Sequence, residues 1–176
     1  MHETPDDVVG LQELLDRSHA AGGPHLRSII TPERRLNAAE LVERLQGMRL
    51  LVVATVTADG RPLTGPVDGI FYRGAFHFGS APHSFRLRHL RARPQVSATH
   101  LPGEEMAVTV HGRATEIPIE GGFREVLLAI YVPRYGPGWE SDFLDSGPVY
   151  ARIEAERMFT FAMPAPPAGS PTAASP

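Results

Sequence analysis

The spacing of hydrophobic positions changes near residue 48. Before that point it is helical: Val8, Leu11, Leu14 and Leu15 follow Asp6 and Asp7, which can cap a helix, and Gly22-Gly23-Pro24 stops it. A second helix is marked by Asn37 and, three residues on, Glu40, a capping-box pair ahead of Leu41, Val42 and Leu45, with Gly47 at its end. From Met48 the pattern is that of strands. The stretch from Leu50 to Thr57 is rich in β-branched residues, and Asp59-Gly60 turns it into a second strand through Leu63, Val67, Ile70 and Phe71. Arg73-Gly74 leads to a third strand, Ala75 to Gly79, and then to a short helix within Ser80 to Arg93, bracketed by Pro82 and Pro94. Strands resume at Gln95. Beyond Pro102-Gly103, Met106, Val108 and Val110 alternate with Ala107, Thr109 and His111, which predicts a half-buried strand running towards Ile119. Phe123, Val126, Leu127, Ile130 and Tyr131 mark another helix, residues 133–148 read as a loop, and a last strand runs from about Val149 to Met163.

These elements predict a mainly β fold with helices, of the α+β class: six strands joined by short hairpins, closed into an antiparallel barrel. Residues 1–47 form an N-terminal helical segment, 48–163 the barrel, and the proline-, alanine- and serine-rich stretch 164–176 is expected to be a disordered tail. A length of 176 residues, 42% hydrophobic, suits one core. The net charge of -3 offers no general attraction for nucleic acid or an anionic membrane. The absence of cysteine excludes disulfides, thiolate metal sites and Cys nucleophiles. The start, MHETPDDVVG, lacks the charge and apolar run of a secretory signal, and nothing reaches the length of a membrane span, so a cytoplasmic location is expected.

Candidate chemistry concentrates in FHFGSAPHSFRLRHLRARP. A strand ends at Gly79-Ser80, and a short helix opens with small and hydroxyl residues before Arg86, Arg88, Arg91 and Arg93. Free N–H groups and the positive end of the helix dipole make such a start an anion site, to which Ser84 can add a hydroxyl and Arg86 a bidentate fork. Arg86, His89 and Arg93 share one face of that helix. A solvated basic face is the competing reading. In RPLTGPV, Gly65 and Pro66 interrupt a good strand pattern, either as a bulge at a barrel corner or as backbone that a ligand approaches closely.

Taken together, the run from Leu50 to His100, followed by AVTVHGRATEI, resembles the pyridoxamine 5'-phosphate oxidase-like family of flavin-binding split barrels. The specific signal is an ordered series: strand, DGRP hairpin, Pro-Val strand, strand ending in a hydroxyl residue, then Ser-x-Arg opening a helix that closes with x-Pro-x-Val. The resemblance implies a homodimer with flavins held between subunits. By position it implies Ser84 and Arg86 as the phosphate clamp, with Arg88 a helper. Thr64, Gly65, Pro66 and Val67 would border the flavin ring, and Gly79 and Ser80 would touch its ribityl-phosphate part. The sequence also departs from the true oxidases. Phe85 replaces the first member of their Arg-Lys pair, Ala107 stands near their interfacial glutamine, and their Arg-Leu-His substrate segment has no counterpart. Oxidation of pyridoxine phosphate is therefore not expected.

The leading function is an oxidoreductase in which FMN, or alternatively a deazaflavin, exchanges hydride with a small organic substrate; the additional Arg88, Arg91 and Arg93 could meet a deazaflavin's more anionic tail. No acid–base catalyst announces itself. The second hypothesis is a non-catalytic protein of the same fold that stores haem or flavin, with His77, His83, His89, His100 and His111 as the available imidazoles. A metal site is not expected, since His83 and His89 lack the spacing of a zinc pair. Trp139, the one tryptophan, either covers a ring face or substrate or serves as an interface or core residue.

Overall fold

The computed structural model describes residues 2–164, so the tail expected at 164–176 lies, but for Pro164, outside the described residues. Six antiparallel strands close into a barrel in the order β1-β2-β3-β6-β5-β4, where β1 is Met48–Val56, β2 Pro62–Tyr72, β3 Ala75–Ser80, β4 Gln95–Gly103, β5 Met106–Ile117 and β6 Val149–Ala162. Closure rests on β1, which pairs with β2 along its length and with β4 through Val52↔Thr99, Val53↔Ala98 and Ala54↔Ser97. The inward positions, among them Leu51, Val53, Phe76, Phe78, Val108, Val110 and Ile153, are buried in one cluster.

Six helices surround the barrel: α1 Pro5–Ala20, α2 Pro24–Ile29, α3 Ala38–Arg44, α4 Phe85–Ala92, α5 Gly121–Tyr135 and α6 Trp139–Asp142. The capping box of Asn37 and Glu40 opens α3 as its sequence predicts. The cap of α1 differs from expectation: Thr4 is the N-cap, and Asp7 is its partner in the box rather than the cap. The short α2 begins at Pro24, the residue read as a helix stop; proline suits a first helical turn, where its missing N–H has no intrahelical partner to lose. The loop 133–148 is more ordered than its Gly and Pro content suggests. It contains the last turn of α5 with Pro133, then α6 and a 3₁₀ turn at Leu144–Ser146.

Gly65 and Pro66 do not break β2. The β1–β2 register is continuous from Met48↔Ile70 to Val56↔Pro62, so the interruption expected there is absent and both residues occupy ordinary ladder positions. Irregularity lies instead near the end of β4, between His100 and Gly103, and between β5 and β6, where consecutive His111 and Gly112 pair with Arg157 and Ala155 and Glu156 of β6 is left out of register; a side chain on Gly112 would collide with the Glu154 carbonyl.

The N-terminal segment shares the barrel's core, with Leu11, Leu14, Leu15, Leu41, Val42 and Leu45 in the same cluster. Polar contacts fix its seat on β6. Ser18 Oγ donates to the Leu14 carbonyl at 2.6 Å and accepts from the Met158 N–H at 2.9 Å, while Thr160 Oγ1 accepts from the Leu36 N–H at 3.0 Å. Ser18 is buried, so Ser18→Ala would strand a buried N–H without moving an apolar contact. A loss of about 1–3 kcal/mol is expected, read as a lower urea midpoint at unchanged slope. An unchanged midpoint would show that this bond does not hold α1 on the barrel.

Candidate functional site

The turn after β3 is organised by two serines. Ser84 caps α4, its Oγ accepting from the Leu87 N–H at 3.2 Å and lying 2.9 Å from Ser80 Oγ. The Arg88 N–H is taken by the Ser84 carbonyl, which leaves the amides of Phe85 and Arg86 without intrahelical acceptors. Helix α4 therefore starts at Phe85 with Ser84 as its cap, five residues later than the earliest boundary in the sequence pattern, and residues 81–83 form the turn that brings its N-terminus beside the end of β3.

Arg86 reaches from α4 to β2. Its terminal nitrogen lies 3.5 Å from the Pro66 carbonyl, and a Cβ on Gly65 would sit 3.0 Å from that nitrogen. The absence of a side chain at Gly65 is thus what lets the guanidinium lie against the strand. Burial pulls Arg86 below the ordinary arginine range, and among the described residues no carboxylate pairs with it. A half-buried guanidinium with no carboxylate partner thus projects from the first turn of a helix whose opening amides are free and whose capping hydroxyl lies against a second one, an arrangement that suits a bound anion.

Other arginines of α4 are occupied. Arg91 forks onto Glu116 at 2.6 and 3.3 Å. Arg88, expected as a helper, is exposed and lies 4.3 Å over the exposed ring of Phe85, so it does not join the Ser84–Arg86 group. The shared face of Arg86, His89 and Arg93 is real, but its members spread along the β1–β2 hairpin instead of converging. His89 Nδ1 is 3.1 Å from Thr55 Oγ1, and Arg93 donates to the Ala58 carbonyl at 3.3 Å. Thr64 and Pro66 are exposed on the outer face of β2, whereas Gly65 and Val67 face inward. Ser80 is buried and faces the barrel interior, and Gly79 is partly buried, its missing Cβ giving room to the Tyr150 ring, which a side chain would meet at 2.9 Å.

A cleft of about 530 Å³ opens on the other side of Val67 and Gly79, beneath α5 and α6. Tyr131, Tyr135, Trp139 and Phe143 line it, with Tyr150 on β6. Trp139 stacks on Tyr131 of its own chain at 4.7 Å between ring centres. The four-residue spacing from 131 to 143 was the available signal for this wall, hidden by Pro133, Gly136, Pro137 and Gly138, which mark a helix end. Burial, together with Tyr150 and Asp68, raises the Tyr131 hydroxyl, which has no hydrogen-bond partner.

The histidines do not gather. His77 is buried against Tyr72 and Phe123, the His100 ring bonds to the Leu50 carbonyl, His111 to Ser97, and His83 is exposed. Among the described residues no three His, Asp or Glu side chains are placed to hold a metal ion, and no helix is long and apolar enough to cross a membrane.

Residues 38–161 match the family model described as pyridoxamine 5'-phosphate oxidase. Comparison with curated proteins gives no match. Among solved structures, a FAD-binding protein of Mesorhizobium loti superposes with a TM-score of 0.51 at 26% identity, covering 72% of this chain and 95% of that one. The haem storage protein HutZ of Vibrio cholerae gives 0.54 at 21%, covering 70% of this chain and 92% of that one. A protein described as an F420 reductase gives 0.53 at 19%, over 65% of this chain and 91% of that one.

His77 supplies a test of the packing beneath α5. Burial, opposed in part by its bond to the Ala75 carbonyl, pushes the imidazole from 6.5 down to about 4. The unfolded chain then binds a proton in that window that the folded chain does not. Stability should be complete above pH 6.5 and fall as the pH drops to about 4, by about 3 kcal/mol. His77→Gln should flatten that slope in denaturant titrations; an identical slope would mean that other groups set it.

Proposed function

We propose a function from this premise: the chain belongs to the pyridoxamine 5'-phosphate oxidase family. It acts as a flavin-dependent oxidoreductase of the cytoplasm that holds FMN at a homodimer interface and exchanges hydride with a small organic molecule. The observation that carries this reading is Arg86, half-buried, without a counter-ion, and laid against the Gly65–Pro66 backbone beside the open end of α4. Ser84, Arg86 and the amides of Phe85 and Arg86 would hold the phosphate. The backbone of Thr64, Gly65, Pro66 and Val67 would border the ring, and Gly79 and Ser80 the chain between them. A bound flavin supplies the hydride chemistry, while the protein binds, orients and screens it from water.

The likeness to a FAD-binding protein supports a flavin. FMN is preferred to a deazaflavin because Arg91 is paired with Glu116 and Arg93 lies along the β1–β2 hairpin at the Ala58 carbonyl, so the arginines of α4 do not converge on a longer anionic tail. Haem storage is the alternative, supported by the likeness to HutZ; against it, the histidines are engaged at separate places.

Homodimerisation is supported by the outer face of β1 and β4. Leu50, Val52 and Leu101 are 55%, 47% and 62% exposed there. Val52→Glu should convert a dimer into monomers in sedimentation velocity. A wild-type protein that is monomeric with cofactor bound would sink the dimer.

Titration of the cofactor-free protein with FMN, followed by flavin fluorescence, tests the clamp. Arg86→Ala should weaken binding by roughly ten- to over a hundredfold, since a hydrogen bond to a charged group is worth about 1.5–3 kcal/mol. Arg88→Ala should change it by no more than about fivefold, as an exposed charge contributes under about 1 kcal/mol. Equal affinity for wild type and Arg86→Ala would remove the clamp assignment.

A further inference from the structure

The cleft under α5 and α6 has a chemistry of its own. Its walls are aromatic: Tyr131 stacks nearly parallel to Trp139 and to Tyr135, and Phe143 packs 5.5 Å from the indole. Two carboxylates, Asp68 and Asp142, also line it, and no Lys, Arg or His does. Asp68 accepts from the Tyr135 hydroxyl at 2.7 Å, and Asp142 accepts from Ser141 Oγ at 3.1 Å, yet neither is paired with a cation among the described residues. Arg134 lies 5.7 Å over the Tyr135 ring without lining the cleft. Aromatic faces carry negative charge density, and carboxylates add full charges, so the space favours a positively charged guest with an apolar body. The Tyr131 side chain is 2% exposed and its hydroxyl has no partner, an unmet polar group in the cleft wall. A volume of about 530 Å³ suits a small organic molecule.

We propose that this cleft is the substrate subsite and that it takes an organic cation, an aromatic or alkyl ammonium. The substrate role rests on the flavin reading above, because Val67 and Gly79 belong both to the cleft and to the segments assigned to the cofactor. The preference for positive charge rests on the cleft alone, which allows the two to fail separately.

Trp139 is the chain's single tryptophan, so its emission reports on the cleft directly. The cofactor-free protein would be titrated with benzyltrimethylammonium, benzyl alcohol and benzoate, three probes sharing a ring and differing in charge. The cation should change the emission saturably, benzyl alcohol should bind about tenfold more weakly, and benzoate should give no saturable change over the same range. Asp68→Asn and Asp142→Asn should each weaken the cation by about three- to tenfold and leave benzyl alcohol unchanged. Equal binding of the three probes, or Asn variants that bind the cation like the wild type, overturns the proposal.

A second titration uses protein loaded with FMN. A shift of the flavin absorption on adding benzyltrimethylammonium, lost in Asp68→Asn, supports the substrate role. If FMN abolishes the Trp139 response to the cation, the cleft holds the flavin ring itself and the subsite assignment falls. If Trp139 responds but the bound flavin does not, the cleft is a cation site apart from the cofactor, and the substrate role falls. If the protein binds no flavin while the charge series holds, the flavin reading fails and the cation site stands.

Discussion

Closing six strands into a barrel fills the inside of each strand but leaves each with an outer face, and the burial of those outer faces governs the rest of this molecule. Helix α5 covers one sector. Phe123, Val126, Leu127 and Tyr131 meet Ile70 and Tyr150 from β2 and β6 in a second apolar cluster, separate from the barrel interior. That cover ends where α5 gives way to Pro133, Gly136 and Gly138, and the aromatic cleft lies at this unsealed margin. On the outer side of the sector formed by β1 and β4, Leu50, Val52 and Leu101 stand exposed. A small barrel that leaves such a face to solvent forgoes about 25 cal/mol for each Å² of apolar surface, and a second copy of the chain can recover that.

Charge is arranged by the same geometry. Several of the arginines near the sheet meet a carboxylate or a ring: Arg73 meets Asp7, Arg91 meets Glu116, Arg124 meets Glu140 and Asp145, and Arg88 lies over Phe85. Arg86 meets a carbonyl. Its neighbour across the gap is Gly65, and only a residue without a side chain admits a guanidinium so close to the strand. A charge held partly out of water without a partner is unfavourable by itself, so the arrangement makes physical sense when an anion completes it.

Much of this was legible in the sequence. Helical spacing located α1, α3 and α5, the Asn37–Glu40 box placed the start of α3, and Asp59-Gly60 and Arg73-Gly74 marked the hairpins on either side of β2. Local rules of that kind work because caps and tight turns are satisfied within a few residues. The expected break at Gly65-Pro66 failed because a ladder tolerates proline where its N–H is not needed, and neighbouring strands decide that, not the pair itself. Arg88 shows a related limit. Helical position puts a side chain on a face but does not say that Phe85 will hold it there. The cleft was invisible because its wall comes from α5, α6 and β6 together, and its four-residue spacing runs through the glycines and prolines that mark a helix end.

Strand β2 joins the two sites. Alternation along a strand sends successive side chains to opposite faces, so Gly65 and Val67 turn towards the barrel interior while Thr64, Pro66 and Asp68 turn outward. On one side Gly65 admits Arg86; on the other, Asp68 reaches the Tyr135 hydroxyl at the cleft. The glycine at the end of β3 has a comparable part, since Gly79 makes room for Tyr150, whose ring closes the cleft. A side chain at either glycine would disturb one site through a different neighbour, the mobile end of Arg86 in one case and a packed aromatic ring in the other. The first can yield by moving a flexible side chain; the second cannot without shifting the core under α5. The Arg86 side is therefore the adaptable one, and the aromatic side is held rigid by the packing that covers the barrel.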